Sequence, residues 1–259
     1  MRRAAVSLLR ALLGVRTVNA LRAAKLWLRQ RLGLSFSHPV QVARRAEFHG
    51  GRDYGGWTIC PDGIDARSIV YDVGVGEDLS FATSLVKTYG LRVWAFDPTP
   101  KSVRWFARQP RVPEIEFCPW GIAAVDGEAT LHFSDATGDV SGSIVSNWTH
   151  GTTALVPVRR VASVMAVLGH SKVDILKLDI EGAEYRVLQD ILDCRLRIDQ
   201  ILVEFHPGVV AARFDQARAA IRALNDHQYQ LFAAHHGTDF SFVRSDALGA
   251  GPGLPSAAA

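Results

Sequence analysis

The chain has 259 residues, 48% of them apolar, which is enough for one large domain with a substantial core. Net charge is +3, yet residues 1–46 carry ten Arg and Lys and no acid, leaving 19 basic and 26 acidic residues in the rest. An acidic body excludes a nucleic-acid-binding surface there. Cys60, Cys118 and Cys194 form no CxxC pair, which excludes a zinc framework or disulfide scaffold and fits a reducing, cytoplasmic compartment.

Residues 1–35 read as a basic helical segment. Val6, Leu8, Leu9, Leu12 and Leu13 can share one face opposite Arg3 and Arg10, and Arg22, Lys25 and Arg29 make a later basic stripe. No apolar run here approaches the roughly 20 residues needed to span a bilayer. Three readings stay open: a solvated helix packed on the body or frayed from it, a helix lying on an anionic membrane through residues 1–32, and a cleaved organelle leader. Residues 36–67, with Trp57 and Pro61, form a preamble expected to pack over a cofactor mouth.

From residue 68 apolar strands alternate with helical periodicity. Strand 68–75 precedes helix 79–89, strand 92–97 precedes helix 101–108, and strand 115–122 ends this half. Residues 128–133 and 154–158 alternate apolar with polar and read as short strands around a Gly/Ser/Asp/Thr-rich loop, 134–153. Helix 161–168, strand 173–180, helix 183–192, strand 200–205 and helix 210–225 resume the rhythm. A hairpin, 228–234 and 240–244, closes it, and the Gly/Pro/Ala/Ser-rich tail 249–259 is expected to be disordered. Six strands alternating with helices plus one antiparallel strand predict an α/β domain over 68–248, with a Rossmann-like, mostly parallel seven-stranded sheet.

The chemistry begins at Asp72-Val-Gly74-Val-Gly76-Glu77-Asp78, a glycine turn between a strand and a helix. A dinucleotide fold would place a pyrophosphate here, but Asp72, Glu77 and Asp78 would repel phosphate. They suit a cation such as the ammonium and sulfonium of S-adenosylmethionine (SAM). Asp97, after Phe96 at the end of the second strand, lies at the spacing from which an acid reaches ribose hydroxyls. Asp97 or Thr99 can equally cap the next helix, with Pro100 in its first turn.

The fourth strand ends in Asp179-Ile-Glu181-Gly-Ala-Glu184 and the fifth in Glu204-Phe-His206. Adjacent strand ends should bring Asp179, Glu181, Glu204 and His206 to one crevice. Carboxylates that close raise one another's pKa unless a cation is near, and His206, Lys177, a sulfonium or a metal ion would serve. Glu181 and Glu184 also read as helix-start acids favoured by the dipole.

Asp72-x-Gly74, Phe96-Asp97-x-x-Pro100, Val156-x-Val158-x-x-Val161, Lys177-x-Asp179-x-Glu181-Gly182-x-Glu184 and the strand ending in Glu204 resemble the FkbM-type SAM-dependent methyltransferases, from about Trp57 to Arg244. The resemblance implies the class I methyltransferase fold. It implies that Asp72, Gly74 and Gly76 line the methionine part of SAM, that Asp97 holds the ribose, and that Gly121-Ile122 lies near the adenine. Asp78, Phe96 and Asp179 complete the expected cofactor set. Many family members carry Asn and a further Gly where this chain has Gly76 and Asp78.

The resemblance also implies methyl transfer to a hydroxyl of a small molecule, sugar or glycan. His206 is the expected base, since its intrinsic pKa is near neutral. In a competing arrangement, similar to that of catechol O-methyltransferase, Asp179 and Glu204 hold a divalent metal ion. Two other functions compete: a non-catalytic SAM-binding scaffold at a membrane assembly, and an NAD-dependent oxidoreductase. The missing Gly-x-Gly-x-x-Gly argues against the second.

Overall fold

A computed structural model describes residues 38–43, 46–52, 55–133, 142–144, 152–206, 214–235 and 237–247. The chain divides into two compact units, residues 1–39 and 40–259, and every strand and helix among the described residues lies in the second. The expected basic helix and the tail lie outside the described residues.

Two short strands, β1 (Phe48–Gly50) and β2 (Trp57–Ile59), pair antiparallel in the preamble. The main sheet has seven strands: β3 (Ile69–Val73), β4 (Arg92–Phe96), β5 (Ile115–Cys118), β10 (Val173–Leu178), β11 (Ile198–Glu204), β12 (Tyr229–His235) and β13 (Asp239–Arg244). Their spatial order is β12-β13-β11-β10-β3-β4-β5. The pairs from β5 to β11 are parallel, while β13 runs antiparallel to both β11 and β12. This is the expected mostly parallel sheet with a C-terminal antiparallel hairpin, in which β13 inserts between β11 and β12. Strand order reverses after β3, so β3 and β10 flank the topological switch point where such sheets bind ligands.

All six residues of β10 are buried, which requires cover on both sheet faces; Val173, Ile175, Leu176 and Leu178 are apolar, and the charged Asp174 and Lys177 are buried among them. Helix α1 (Ser80–Tyr89) buries Phe81, Ala82 and Leu85, spaced for one face, against Val70, Val93 and Ile175. It ends at Gly90 in a left-handed cap. Helix α2 (Pro100–Phe106) starts with Thr99, whose Oγ1 accepts from the Ser102 backbone N–H at 3.2 Å. Helices α3 (Val161–Leu168), α4 (Glu184–Asp193) and α5 (Phe214–Asp226) pack in sequence, α3 on α4 and α4 on α5.

The expected strand 115–122 is two strands. Pro119 has no N–H to give a ladder, so β5 stops at Cys118 and β6 (Gly121–Ile122) joins a second sheet. That sheet contains β6, β7 (Gly127–Phe133), β8 (Gly142–Ser143) and β9 (Thr153–Arg159), ordered β6-β9-β7-β8. The segment expected as one loop, 134–153, thus includes a strand that pairs with His132 and Phe133.

Candidate active site

The turn after β3 is bound to its neighbours by backbone hydrogen bonds. Gly74 N–H donates to the Phe96 carbonyl at 2.9 Å, and Asp179 N–H donates to the Val73 carbonyl at 3.2 Å. Gly74 has φ of +77°, and a Cβ on it would overlap the Asp179 carbonyl oxygen. Gly76 has φ of +55° and faces open space. The two glycines therefore differ: Gly74 allows a close crossing of backbones, and Gly76 keeps one side of the turn clear.

Asp97 is buried and braces this turn. One oxygen accepts from Gly76 N–H at 2.7 Å and the other from Thr99 N–H at 2.8 Å. Each oxygen keeps a lone pair for a further donor. Thr99 is the helix cap, and Asp97 holds the loop before it. Phe96 is wholly buried against Tyr71, so its contribution to the turn is its carbonyl. Asp78 Oδ1 accepts from Ser80 N–H at 2.7 Å, which commits that oxygen to the start of α1. Gly121 and Ile122 pair with Val158 and Arg159, with Gly121 packed beside Pro98.

Asp72 is 1% exposed and lies 3.3 Å from Lys177 Nζ. The approach is off line, and Asp72 Oδ1 accepts no hydrogen bond. Lys177 Nζ donates instead to the Gly74 carbonyl at 3.0 Å and lies 3.9 Å from Asp179 Oδ2. Burial raises the Asp72 pKa against the opposing pull of Lys177. Burial works against the Lys177 charge, but Asp72 and Asp179 outweigh it and hold the ammonium above its ordinary value. The preamble closes on this corner: Gly55 packs against Asp78, Arg52 N–H donates to Ser80 Oγ at 3.0 Å, and the Trp57 ring lies 5.8 Å from Lys177 Nζ.

The ends of β10 and β11 bring Asp179, Glu181, Glu204 and His206 together. His206 Nε2 lies 3.7 Å from Asp179 Oδ1, 3.5 Å from Glu181 Oε2 and 3.8 Å from Glu204 Oε1. Glu184 stands behind the ring. It is 0% exposed; Oε1 accepts from the His206 backbone N–H at 2.8 Å and lies 3.4 Å from Nδ1, while Oε2 accepts from Gly182 N–H at 2.7 Å. The sequence reading placed Glu184 at a helix start and at the end of the family motif. It is the first residue of α4, and its carboxylate also ties the two strand ends together. Glu181 has φ of +50°, and its carbonyl accepts from Ser143 Oγ at 2.6 Å, so the second sheet reaches the crevice through β8. Ser143 was missed, since its role depends on a pairing invisible in the local sequence.

Burial opposes a charge on His206, but the close Glu184 carboxylate, 3.4 Å from Nδ1, and the fields of Glu181 and Glu204 push its pKa up to about 10. These fields favour the protonated imidazole. Burial raises the Glu204 pKa, and Asp179 raises it further.

The Methyltransferase FkbM domain pattern matches residues 68–231. The chain belongs to the FkbM methyltransferase family. It is 24% identical over 217 residues to human methyltransferase-like protein 24, covering 75% of this chain and 52% of that protein. The rat protein of the same name is 38% identical over 50 residues, covering 18% of this chain and 14% of that one. The chain thus spans about half the length of the human relative. Among solved structures, the Methanococcus jannaschii fibrillarin pre-rRNA processing protein superposes with a TM-score of 0.41 at 10% identity, covering 80% of this chain and 86% of that one. Aeropyrum pernix fibrillarin with natively bound SAM gives 0.37 at 13% identity, covering 69% and 66%. Likenesses this loose say nothing about what this chain acts on.

Proposed function

We propose that this domain transfers the methyl group of SAM to a hydroxyl oxygen on a sugar, glycan or other natural product. The carrying observation is the contact of Gly74 with the Asp179 carbonyl, which makes the glycine turn border the acidic crevice. The residues of the turn fit SAM. Asp72 has a buried oxygen without a hydrogen bond, Gly76 leaves one side open, and the nearby acids favour a cation over a pyrophosphate.

SAM, when bound, supplies an electrophilic methyl carbon on a positively charged sulfur. Asp97 offers its remaining lone pairs to ribose hydroxyls while its other contacts keep the turn in shape. The strand ends hold the acceptor oxygen in line, positioning worth about 7–11 kcal/mol of the barrier; as the O–C bond forms and the S–C bond breaks, a crevice carboxylate takes the hydroxyl proton and S-adenosylhomocysteine leaves. Asp179, Glu181 and Glu204 repel an anionic acceptor, which favours an uncharged polyhydroxy compound. The protein is expected in the cytoplasm, and the basic residues within 1–32 suit peripheral contact with an anionic membrane. Among the described residues no helix is long and apolar enough to cross a membrane.

The test is incubation of the chain and methyl-tritiated SAM with neutral glycans and alcohols from the source cells. Label in a base-stable methyl ether supports the proposal. Label in an amine or a base-labile ester contradicts it.

A further inference from the structure

We infer that Asp179, Glu204 and His206 form a divalent-cation site, with His206 as a ligand through Nε2. The inference rests on the reading of this crevice as the acceptor side of a methyltransferase, and it adds a metal that this reading does not require.

The spacing of the cluster is the first argument. One ligand atom from each of Asp179, Glu204 and His206 lies within 4.8 Å of the others. The distances from Nε2 to the three facing carboxylates, 3.5–3.8 Å, exceed the ~2.7–2.9 Å of a charged hydrogen bond. A hard divalent ion binds oxygen at roughly 2.0–2.6 Å, so neighbouring ligands around it sit roughly 3–3.7 Å apart. The Nε2 separations from Asp179 and Glu204, 3.7 and 3.8 Å, lie at the upper edge of that range, and the three ligand atoms fit within 4.8 Å of one another.

The histidine supplies the second argument. Metal-bound imidazoles commonly have a carboxylate or carbonyl behind the other ring nitrogen, which fixes the ring and its tautomer. Here Glu184 takes that place. Nδ1 is buried and faces its carboxylate at 3.4 Å, and the same oxygen anchors the His206 backbone. Glu184 is pinned in turn by Gly182 N–H. The clamp leaves Nε2 directed at Asp179, Glu181 and Glu204.

Charge balance is the third. Lys177 is engaged by Asp72 and the Gly74 carbonyl and reaches Asp179 only at 3.9 Å, on the oxygen turned away from His206. Asp239 pairs in register with Glu204 and adds to the negative field. A divalent ion at this place would favour the ionised form of the Glu204 carboxylate, which burial and Asp179 oppose. Carboxylate oxygens with one imidazole suit magnesium or manganese. An ion there would lower the pKa of a hydroxyl beside it.

The test uses the metal-free full chain and Mn²⁺, followed by electron paramagnetic resonance with and without S-adenosylhomocysteine. The expected result is one Mn²⁺ per chain with Kd below about 100 µM. Spin-echo modulation from one coordinated imidazole nitrogen is expected in the wild-type complex. Asp179→Asn and His206→Gln should each weaken Mn²⁺ by about tenfold or more. No binding up to about 1 mM Mn²⁺, or binding without nitrogen modulation, overturns the site. The wild-type measurements decide the matter even if a variant fails to fold. Mn²⁺ binding without S-adenosylhomocysteine binding would leave the metal site standing and remove the methyltransferase reading; the reverse would do the opposite.

Discussion

Gly74 and Asp179 cross so closely that no side chain fits between them: a Cβ on Gly74 would overlap the Asp179 carbonyl oxygen. The crossing joins the turn after β3 to the end of β10 and sets the distance between cofactor turn and crevice. Gly74→Ala should destabilise the fold by about 2–5 kcal/mol, from the positive φ and the overlap together. Gly76→Ala meets nothing within 4 Å and should cost only about 1–2 kcal/mol, while its methyl obstructs the open side of the turn. Urea unfolding of both variants checks this. Equal midpoints would contradict it.

Glu184 is a fully buried acid whose two oxygens serve two backbone N–H groups. Glutamine at this position keeps one acceptor and turns an NH₂ towards the other donor. Glu184→Gln should lower unfolding free energy by about 1–3 kcal/mol. Hydrogen exchange of the Gly182 and His206 amides should rise with it. Unchanged exchange at both would show that the clamp is not held in solution.

At the other end of the sheet, Asp246 bonds Arg244 at 3.0 Å and Arg197 at 2.8 Å. The hydrogen bond from Arg244 lowers its pKa to about 2 against the opposing effect of burial, and the charges of Arg244 and Arg197 and the Arg197 bond add to the lowering. Its folded pKa lies below the unfolded value of about 3.9, so the stabilisation is present above pH ~4 and lost as pH falls towards 2. The pair is half exposed, which limits the gain to less than about 1 kcal/mol. Asp246→Asn should be less stable than wild type at pH 7, with the gap closing near pH 2. A constant gap would contradict the ion-pair origin.

The basic run in residues 1–46 motivates a separation of binding from location. Removing residues 1–32 should leave SAM affinity unchanged, because the cofactor motifs begin later in the chain. The same deletion should abolish sedimentation with anionic vesicles. Equal sedimentation of the two forms would dismiss membrane contact.

What the sequence could reveal came from short-range physics. The glycine turn between β3 and α1 and the acid at Asp97 lie in adjacent elements, and strand–helix alternation placed Asp179 and Glu204 on neighbouring strand ends. Pairings across long separations were hidden. Ser143 reaches Glu181 only because β8 pairs with β7, and Glu184 meets His206 across 22 residues. The charge state of His206 was hidden for the same reason. An imidazole has a near-neutral intrinsic pKa, and four carboxylates from two strand ends change that only once the sheet is assembled. Pro119 was the one local signal overlooked; its missing N–H ends β5.

Titration calorimetry of the full chain with SAM, S-adenosylhomocysteine and NAD tests the central claim most directly. The account predicts micromolar binding of the two sulfur nucleosides and none of NAD. Asp97→Ala should weaken SAM by about 1.5–3 kcal/mol, through loss of charged hydrogen bonds. NAD binding tighter than SAM, or a SAM affinity indifferent to Asp97, would contradict it.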